Sequence, residues 1–192
     1  MIHMASPMEV AETKTEEEMV RPAVEGTLNL LRACKDNRVR RVCVTSSVVA
    51  ITMKADKPKV WDESHYSDPS YSGAGAYEKS KTFADQACWK FMAELPENER
   101  FELSAVYPCY VLGPSLVKEY KTGIVIVYNM TNKWPINGGI PNLAIGMVDV
   151  RDVALAHILC LTSDAAQGKR FIIAGGSMFF KEQAAELRKL FP

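Results

Sequence analysis

The sequence predicts an α/β fold in which helices flank a parallel β-sheet, and three observations lead to this prediction. Apolar residues recur at helical spacing in 16–37, among them Val24, Leu28 and Leu31. A short β-branched run, 40–49, follows directly and is typical of a buried parallel strand. Strand and helix patterns then alternate to the end of the chain, which is the order that α/β layered domains require.

The remaining elements follow from the same two periodicities and from the residues that interrupt them. A loop rich in turn residues, 54–75, leads into a helix that contains Tyr77 and stops at Pro96. Beyond it we expect strands and helices in turn, at 101–108, 116–133, 144–150, 151–163, 169–175 and 181–191.

The expected sheet has a definite strand order. Strand Ile2–Ala5 should lie next to Val42–Thr45, followed by 101–107 and 144–149, with right-handed crossovers between them.

Composition limits the kind of protein. With 47% hydrophobic and 24% charged residues in 192 positions, the chain can form one domain with a full core. Lysine plus arginine equals aspartate plus glutamate, at 23 each, so no strong charge favours binding to nucleic acid. No apolar stretch approaches the ~20 residues that span a bilayer, and the N-terminus lacks the pattern of a signal peptide. We therefore expect a cytoplasmic protein that binds neither nucleic acid nor membrane.

The cysteines and histidines give no metal-ligand pattern. The five cysteines are scattered in apolar surroundings and form no C-x-x-C: Cys34, Cys43, Cys88, Cys109 and Cys160. The three histidines do not cluster with them. Reduced, buried thiols are therefore expected rather than disulfides or a zinc site.

The stretch "SGAGAYEKSK" contains two candidate motifs, and only the second fits its surroundings. A dinucleotide-binding loop has the pattern G-x-G-x-x-G after a buried strand, but Glu78 occupies the third glycine position and turn formers precede Gly73. Tyr77 and Lys81 are four residues apart, so a helix places both side chains on one face. An ammonium beside a phenol favours the phenolate, which would let the tyrosine exchange a proton nearer neutral pH. A solvated Tyr/Lys pair is the structural alternative.

Polar or special residues also follow three of the expected strands. They are the "TSS" of Thr45–Ser47, the "YPCYVLGP" of 107–114 and the "DVRD" of 149–152. Ligands of open parallel sheets bind beyond the carboxyl ends of the strands. This convergence is independent of the Tyr77 and Lys81 spacing, and it favours a site at that edge.

Taken together, the ordered motifs resemble the extended short-chain dehydrogenase/reductases, in the branch of dihydroflavonol reductase and cinnamoyl-CoA reductase. The resemblance runs over nearly the whole chain through "IHMASP", "VRPAVEGTLNLLRAC", "RRVCVTSS", "VWDESHYSD", "YEKSKTFADQACWKF", "YPCYVLGP" and "MVDVRDVALAHI". It implies a Rossmann-like fold and NADP(H) as cofactor, with NAD possible. It also implies reduction of the carbonyl group of a small organic substrate.

The resemblance also implies roles for individual residues. Tyr77 is similar to the catalytic acid, and Lys81 to the lysine that holds the nicotinamide ribose and lowers the tyrosine pKa. Ser47 matches the catalytic serine, with Ser46 as the less favoured choice because the register of the strand end is open. The residues similar to cofactor-lining segments are Met4, Ala5, Ser6, Pro108, Cys109, Tyr110 and Val111.

Other polar residues near these motifs are expected to be structural. Asp149 and Asp152 should stabilise the start of the helix that follows them. His157 is expected in the core, and Trp61, Asp62 and Glu63 should close a loop over the site without reacting.

The chain departs from the family at its start. It contains no T-G-x-x-G-x-x-G phosphate loop. We therefore interpret 1–192 as a single partial NAD(P)-binding domain that lacks the first βαβαβ half and includes the start of the substrate-binding lobe. Such a chain would be inactive alone and would self-associate through an exposed strand edge. Two other functions stay open: a non-catalytic binding module, and a nucleotide-sugar epimerase or dehydratase with the same Y-x-x-x-K chemistry.

Overall fold

The computed structural model describes residues 1–8, 15–116, 122–132 and 139–190. The chain forms two compact units: the first contains Met1–Pro108 and Leu155–Ile172, and the second contains Cys109–Ala154 and Ile173–Pro192. The strands are β1 Ile2–His3, β2 Arg41–Thr45, β3 Glu102–Pro108, β4 Tyr110–Leu112, β5 Ala144–Asp149, β6 Arg170–Ile173 and β7 Gly176–Phe179. The helices are α1 Glu16–Asp36, α2 Val49–Thr52, α3 Ala76–Glu94, α4 Thr122–Asn132, α5 Val150–Thr162 and α6 Phe180–Leu190, with 3-10 turns at Glu97–Glu99 and Asp164–Ala166.

A four-stranded sheet in the order β1-β2-β3-β6 forms the centre of the first unit. β1 and β2 pair in parallel, as do β2 and β3. β3 is buried along its length apart from its first residue, as expected for a central strand. The core against this sheet includes Leu31, Val42, Ile51 and Leu103.

Helices α1 and α3 pack against each other in the first unit. Thr15 begins α1 with a capping box, in which its hydroxyl accepts from the Glu18 amide and the Glu18 carboxylate accepts from the Thr15 amide. An ion pair between Lys79 and Glu16, with an N–O distance of 2.7 Å, joins the two helices at their outer edge.

The second unit contains a three-stranded sheet in the order β4-β5-β7. β4 and β5 pair in parallel, whereas β7 is antiparallel to β5. Helix α4 contacts β4, and α6 follows β7 directly and packs beside it.

The α/β class, the parallel sheet and most of the expected elements are confirmed. The expected position of 144–149 beside 101–107 is wrong, because β6 neighbours β3 and β5 belongs to the other sheet. Hydrophobic periodicity identifies a strand but not its neighbour, and β5 has a single buried residue, Val148. The short elements α2, β4 and β7 were not expected. Part of the helix expected at 116–133 lies outside the described residues.

The cysteines are all free thiols, and four of the five are buried. Within the ranges that the structure describes, no helix is long and apolar enough to cross a membrane.

Candidate active site

The carboxyl ends of β1, β2 and β3 meet at one edge of the sheet in the first unit, because the three strands are parallel. The chain leaves β2 through Ser46 and Ser47 while its backbone remains bound to β3. The Ser46 amide donates to the Val106 carbonyl at 2.9 Å, and the Val48 amide donates to the Pro108 carbonyl at 3.2 Å. The end of β2 therefore holds both serines in a fixed register.

The glycines before α3 lie in the turn that leads into this helix. Gly75 is the N-cap residue of α3, and its carbonyl accepts from the Lys79 amide at 3.0 Å. A Cβ atom at Gly73 would lie 2.6 Å from the ring of Tyr71, so a larger residue here would require the Tyr71 side chain to move. The structure thus gives these glycines a role other than cradling a phosphate.

The structure brings Ser47 and Tyr77 together. The Ser47 side chain lies close enough to Tyr77 to lower the pKa of the phenol. Lys81 follows Tyr77 by one helical turn and is only 8% exposed. A serine, a tyrosine and a lysine therefore meet where β2 ends and α3 begins.

The expected lowering of the Tyr77 pKa is wrong for this structure. Burial raises the pKa of the Tyr77 phenol and outweighs the opposing effect of Ser47, and the nearby Glu78 carboxylate raises it further. Sequence spacing alone carried no information on how deeply the phenol is buried.

Lys81 is the more strongly perturbed member of the pair. Burial lowers its pKa from 10.5 to about 8, although the Asp85 carboxylate acts in the opposite direction. The ammonium is thus retained at neutral pH at a cost in folding free energy. Between 10.5 and about 8 that cost corresponds to about 3 kcal/mol.

Replacing Lys81 with methionine should therefore raise the free energy of unfolding at pH 7, by up to about 3 kcal/mol. The unfolded chain keeps the Lys81 proton up to pH 10.5, whereas the folded chain releases it near 8. The penalty is thus present below pH 8 and disappears as the pH rises to 10.5, so the gain from Lys81→Met should shrink over this range. Urea unfolding at several pH values measures it, with Lys90→Met as the control because Lys90 is 74% exposed. A gain that does not change with pH would contradict this assignment.

The residues expected to line a cofactor at the end of β1 lie beside Lys81. Ala5 and Ser6 line a cavity of about 20 Å³ together with Lys81 and Thr45, a space that holds no more than a water molecule. Met4 is 65% exposed. Hydroxyl groups and an ammonium thus face one small polar space at the sheet edge.

The other expected cofactor segment divides between the two units. Pro108 ends β3 in the first unit, whereas Cys109, Tyr110 and Val111 belong to the second. There the Cys109 amide donates to the Ile173 carbonyl at 3.0 Å, and Tyr110 and Val111 lie in β4.

The residues expected to be structural have structural contacts. Asp149 accepts from the Arg151 amide at 2.8 Å at the start of α5, and His157 is buried with its Nε2 atom 2.6 Å from the Thr45 hydroxyl. In the loop, Asp62 accepts from the Ser64 amide, and the Glu63 carboxylate accepts from the Ile172 amide at 3.0 Å. Trp61 packs against the core.

Sequence reasoning missed a buried polar cluster next to Lys81. Asp85 accepts a hydrogen bond of 2.6 Å from the Tyr107 hydroxyl and forms an ion pair of 3.4 Å with Arg170. Both charged side chains are below 10% exposed. Asp85 follows Lys81 by four residues, and this spacing could have indicated that the two side chains share a helix face.

Comparison with known proteins identifies the family. The model of the 3-beta hydroxysteroid dehydrogenase/isomerase family matches residues 1–186. The chain belongs to this family. The resemblance to extended short-chain dehydrogenase/reductases is thereby confirmed, and a cinnamoyl-CoA reductase is among the relatives.

Two relatives, one of them also as a solved structure, illustrate the similarity. The cinnamoyl-CoA reductase CAD2 of Medicago truncatula is 32% identical over all of this chain and 58% of its own length. The NADPH-dependent methylglyoxal reductase GRE2 of Saccharomyces cerevisiae is 31% identical over all of this chain and 60% of its own length. The crystal structure of yeast methylglyoxal/isovaleraldehyde reductase Gre2 complexed with NADPH matches all of this chain and 60% of that chain, with 30% identity and a TM-score of 0.87. The chain thus spans about 60% of the length of the relatives it matches.

Proposed function

We propose that this chain is part of an NADPH-dependent oxidoreductase that reduces the carbonyl group of a small organic substrate. The observation that carries the proposal is that Ser47 lies close to Tyr77, with the buried Lys81 one helical turn away, at the carboxyl edge of a parallel sheet. The NADPH-dependent methylglyoxal reductase among the relatives supports both the reaction class and the cofactor.

Each of the three side chains has a distinct task in this reaction. Tyr77 is the proton donor to the carbonyl oxygen, and its raised pKa keeps it protonated and ready to donate. Ser47 hydrogen-bonds the same oxygen and steadies the charge that develops there. Lys81 holds ribose hydroxyls with the donors of its ammonium and favours the phenolate that remains after proton transfer.

The residues fit one end of the cofactor. The Lys81 ammonium would hold ribose hydroxyls with its donors, and Ser6 lies with it around the same small cavity. NADPH supplies the hydride when it is bound. The 192 residues contain no T-G-x-x-G-x-x-G, so we assign no residue to the pyrophosphate.

The test uses an extended protein, in which this chain is preceded by the phosphate-loop half that the family resemblance implies, taken from a relative. It should oxidise NADPH in the presence of methylglyoxal or another small aldehyde or ketone. Turnover of a nucleotide sugar without net NADPH oxidation would favour an epimerase instead. Binding of carbonyl compounds without turnover would favour a binding module.

Replacing Ser47 with alanine should lower kcat of the extended protein by about a hundredfold, because a donor to the developing oxyanion is lost. Ser46→Ala is the matched variant one residue away, and we expect a smaller loss because the Ser46 side chain is buried. Steady-state kinetics on both variants measure the difference. A larger loss in Ser46→Ala would transfer the serine role to Ser46.

A further inference from the structure

Four side chains at four-residue spacing form a stripe along α3: Tyr77, Lys81, Asp85 and Trp89. The stripe continues the candidate active site into the interior, where the Asp85 side chain is only 2% exposed. A carboxylate buried to this degree requires hydrogen-bonding partners or a counter-charge. Its partners come from two other elements of the first unit, β3 and β6.

The hydrogen bonds around Tyr107 determine which group donates to Asp85. The Trp89 indole N–H and the Arg170 Nε–H can only donate, at 3.0 Å and 2.8 Å, so the Tyr107 oxygen accepts both. The Tyr107 hydroxyl hydrogen is then donated to Asp85 Oδ1 at 2.6 Å. Arg170 Nη2 lies 3.4 Å from Oδ2. Both carboxylate oxygens therefore face donors, and these oppose the rise in the Asp85 pKa that burial causes.

Arg170 divides its donors between Asp85 and the loop before α3. One of its terminal nitrogens donates to the carbonyls of Glu63 and His65, at 2.8 Å and 2.7 Å. Its guanidinium also lies 4.0 Å from the centre of the Tyr66 ring, within range of a cation–π contact. Arg170 thus links this loop to Asp85. Only part of its hydrogen-bonding capacity is directed at the Asp85 carboxylate.

Lys81 lies next to this carboxylate in a space that largely excludes water. The two side chains line the cavity of about 20 Å³, together with His3 from β1. Thr27 donates its hydroxyl hydrogen to the Ala23 carbonyl, so His3 Nε2 is the donor in the 3.2 Å contact with Thr27. Burial and the Lys81 charge lower the pKa of His3. A neutral His3 leaves the Asp85 carboxylate as the charge that favours the Lys81 ammonium.

We propose that Asp85 is a positioning residue that keeps Lys81 charged and oriented toward Tyr77, and that Tyr107 and Arg170 hold Asp85 in place. This inference rests on the proposed function for its catalytic meaning. The attraction between the buried Asp85 carboxylate and the buried Lys81 ammonium does not depend on whether the chain turns over a substrate.

The test measures the protonation of Lys81 in the 192-residue chain itself. Trace acetylation at a series of pH values, followed by mass spectrometry of the Lys81 peptide, gives the pH at which this lysine becomes reactive. Asp85→Asn should lower that pH by about one unit, since a nearby opposite charge is lost. Loosening of the structure would act in the opposite direction and raise it toward 10.5, the ordinary lysine value. The two effects therefore differ in sign.

Matched controls separate a local charge effect from a general one. Glu94→Gln removes the same charge from the same helix, but Glu94 is 67% exposed, so the Lys81 midpoint should not move. The exposed Lys57 serves as an internal reference in every sample.

Asp85→Asn leaves Arg170 buried without its counter-charge, and this variant could fail to fold. The double variant Asp85→Asn/Arg170→Met removes both charges, which is better tolerated in protein interiors. Its Lys81 midpoint should also fall, because Asp85 is the charge that acts on Lys81. An unchanged or raised midpoint in a variant that circular dichroism shows to be folded would overturn the proposal.

A second measurement separates this inference from the proposed function. In the extended protein, Asp85→Asn should shift the alkaline limb of the kcat profile to lower pH, because Lys81 loses its charge earlier. A shifted acetylation midpoint with unaltered turnover in Tyr77→Phe would leave the attraction in place and refute the catalytic assignment. If the Lys81 midpoint does not change in Asp85→Asn while Tyr77→Phe is inactive, the catalytic assignment stands and the attraction between Asp85 and Lys81 is refuted.

Discussion

Tyr77→Phe should remove most of the carbonyl reduction by the extended protein while leaving its affinity for NADPH nearly intact. The phenol is the proposed proton donor, and general acid catalysis contributes about 10²- to 10⁴-fold to turnover, so kcat should fall within that range. The ring remains in place in the variant, and the neighbouring Lys81 keeps its contacts with the cavity. Steady-state kinetics and NADPH fluorescence titration measure the two quantities separately.

Two further variants serve as comparisons for Tyr77→Phe. Tyr71→Phe makes the same substitution in the segment before α3, and we expect kcat to stay at the wild-type value. Lys81→Ala should weaken NADPH binding and turnover together, because Lys81 acts on both the ribose and the phenol. If Tyr77→Phe retained wild-type kcat, another group would be the acid and the proposed mechanism would fail.

The pairing of Tyr77 with Lys81 could be predicted from sequence because it is local. Four-residue spacing on a helix determines that two side chains share a face, whatever the rest of the fold does. The choice between Ser46 and Ser47 was harder, since it depends on the register in which β2 ends. The structure pairs Ser47 with Tyr77 and buries Ser46.

The environment of these residues could not be predicted in the same way. Asp85 obtains its hydrogen-bond and ion-pair partners from Tyr107 on β3 and Arg170 on β6, which are 22 and 85 residues away in sequence. The raised pKa of Tyr77 results chiefly from burial of its phenol. Such properties depend on tertiary contacts that no local pattern encodes. The position of 144–149 was mispredicted for the same reason.

The 192-residue chain alone should bind NADPH far more weakly than the extended protein and should not reduce carbonyl compounds. Backbone amides of a glycine-rich loop and a helix N-terminus are the usual anchor for a pyrophosphate, and the chain contains no such loop sequence. Lys81 and nearby hydroxyls would then be left to hold the ribose end only. Fluorescence titration with NADPH measures the affinity. Micromolar binding by a monodisperse monomer would mean that another segment supplies the phosphate site.

The same chain should also self-associate through the edge of β1. β1 is the outer strand in the order β1-β2-β3-β6, so one side of its backbone has no strand neighbour in this sheet. Apolar side chains surround that edge, with Ile2 37% exposed and Met4 65% exposed. Ile2→Lys places a charge on the edge, which opposes strand pairing, and it should shift the chain toward monomer in size-exclusion chromatography. Val60→Lys is the control, because Val60 is 70% exposed but lies in the loop before α3. If Ile2→Lys associates as strongly as Val60→Lys, β1 is not the interface.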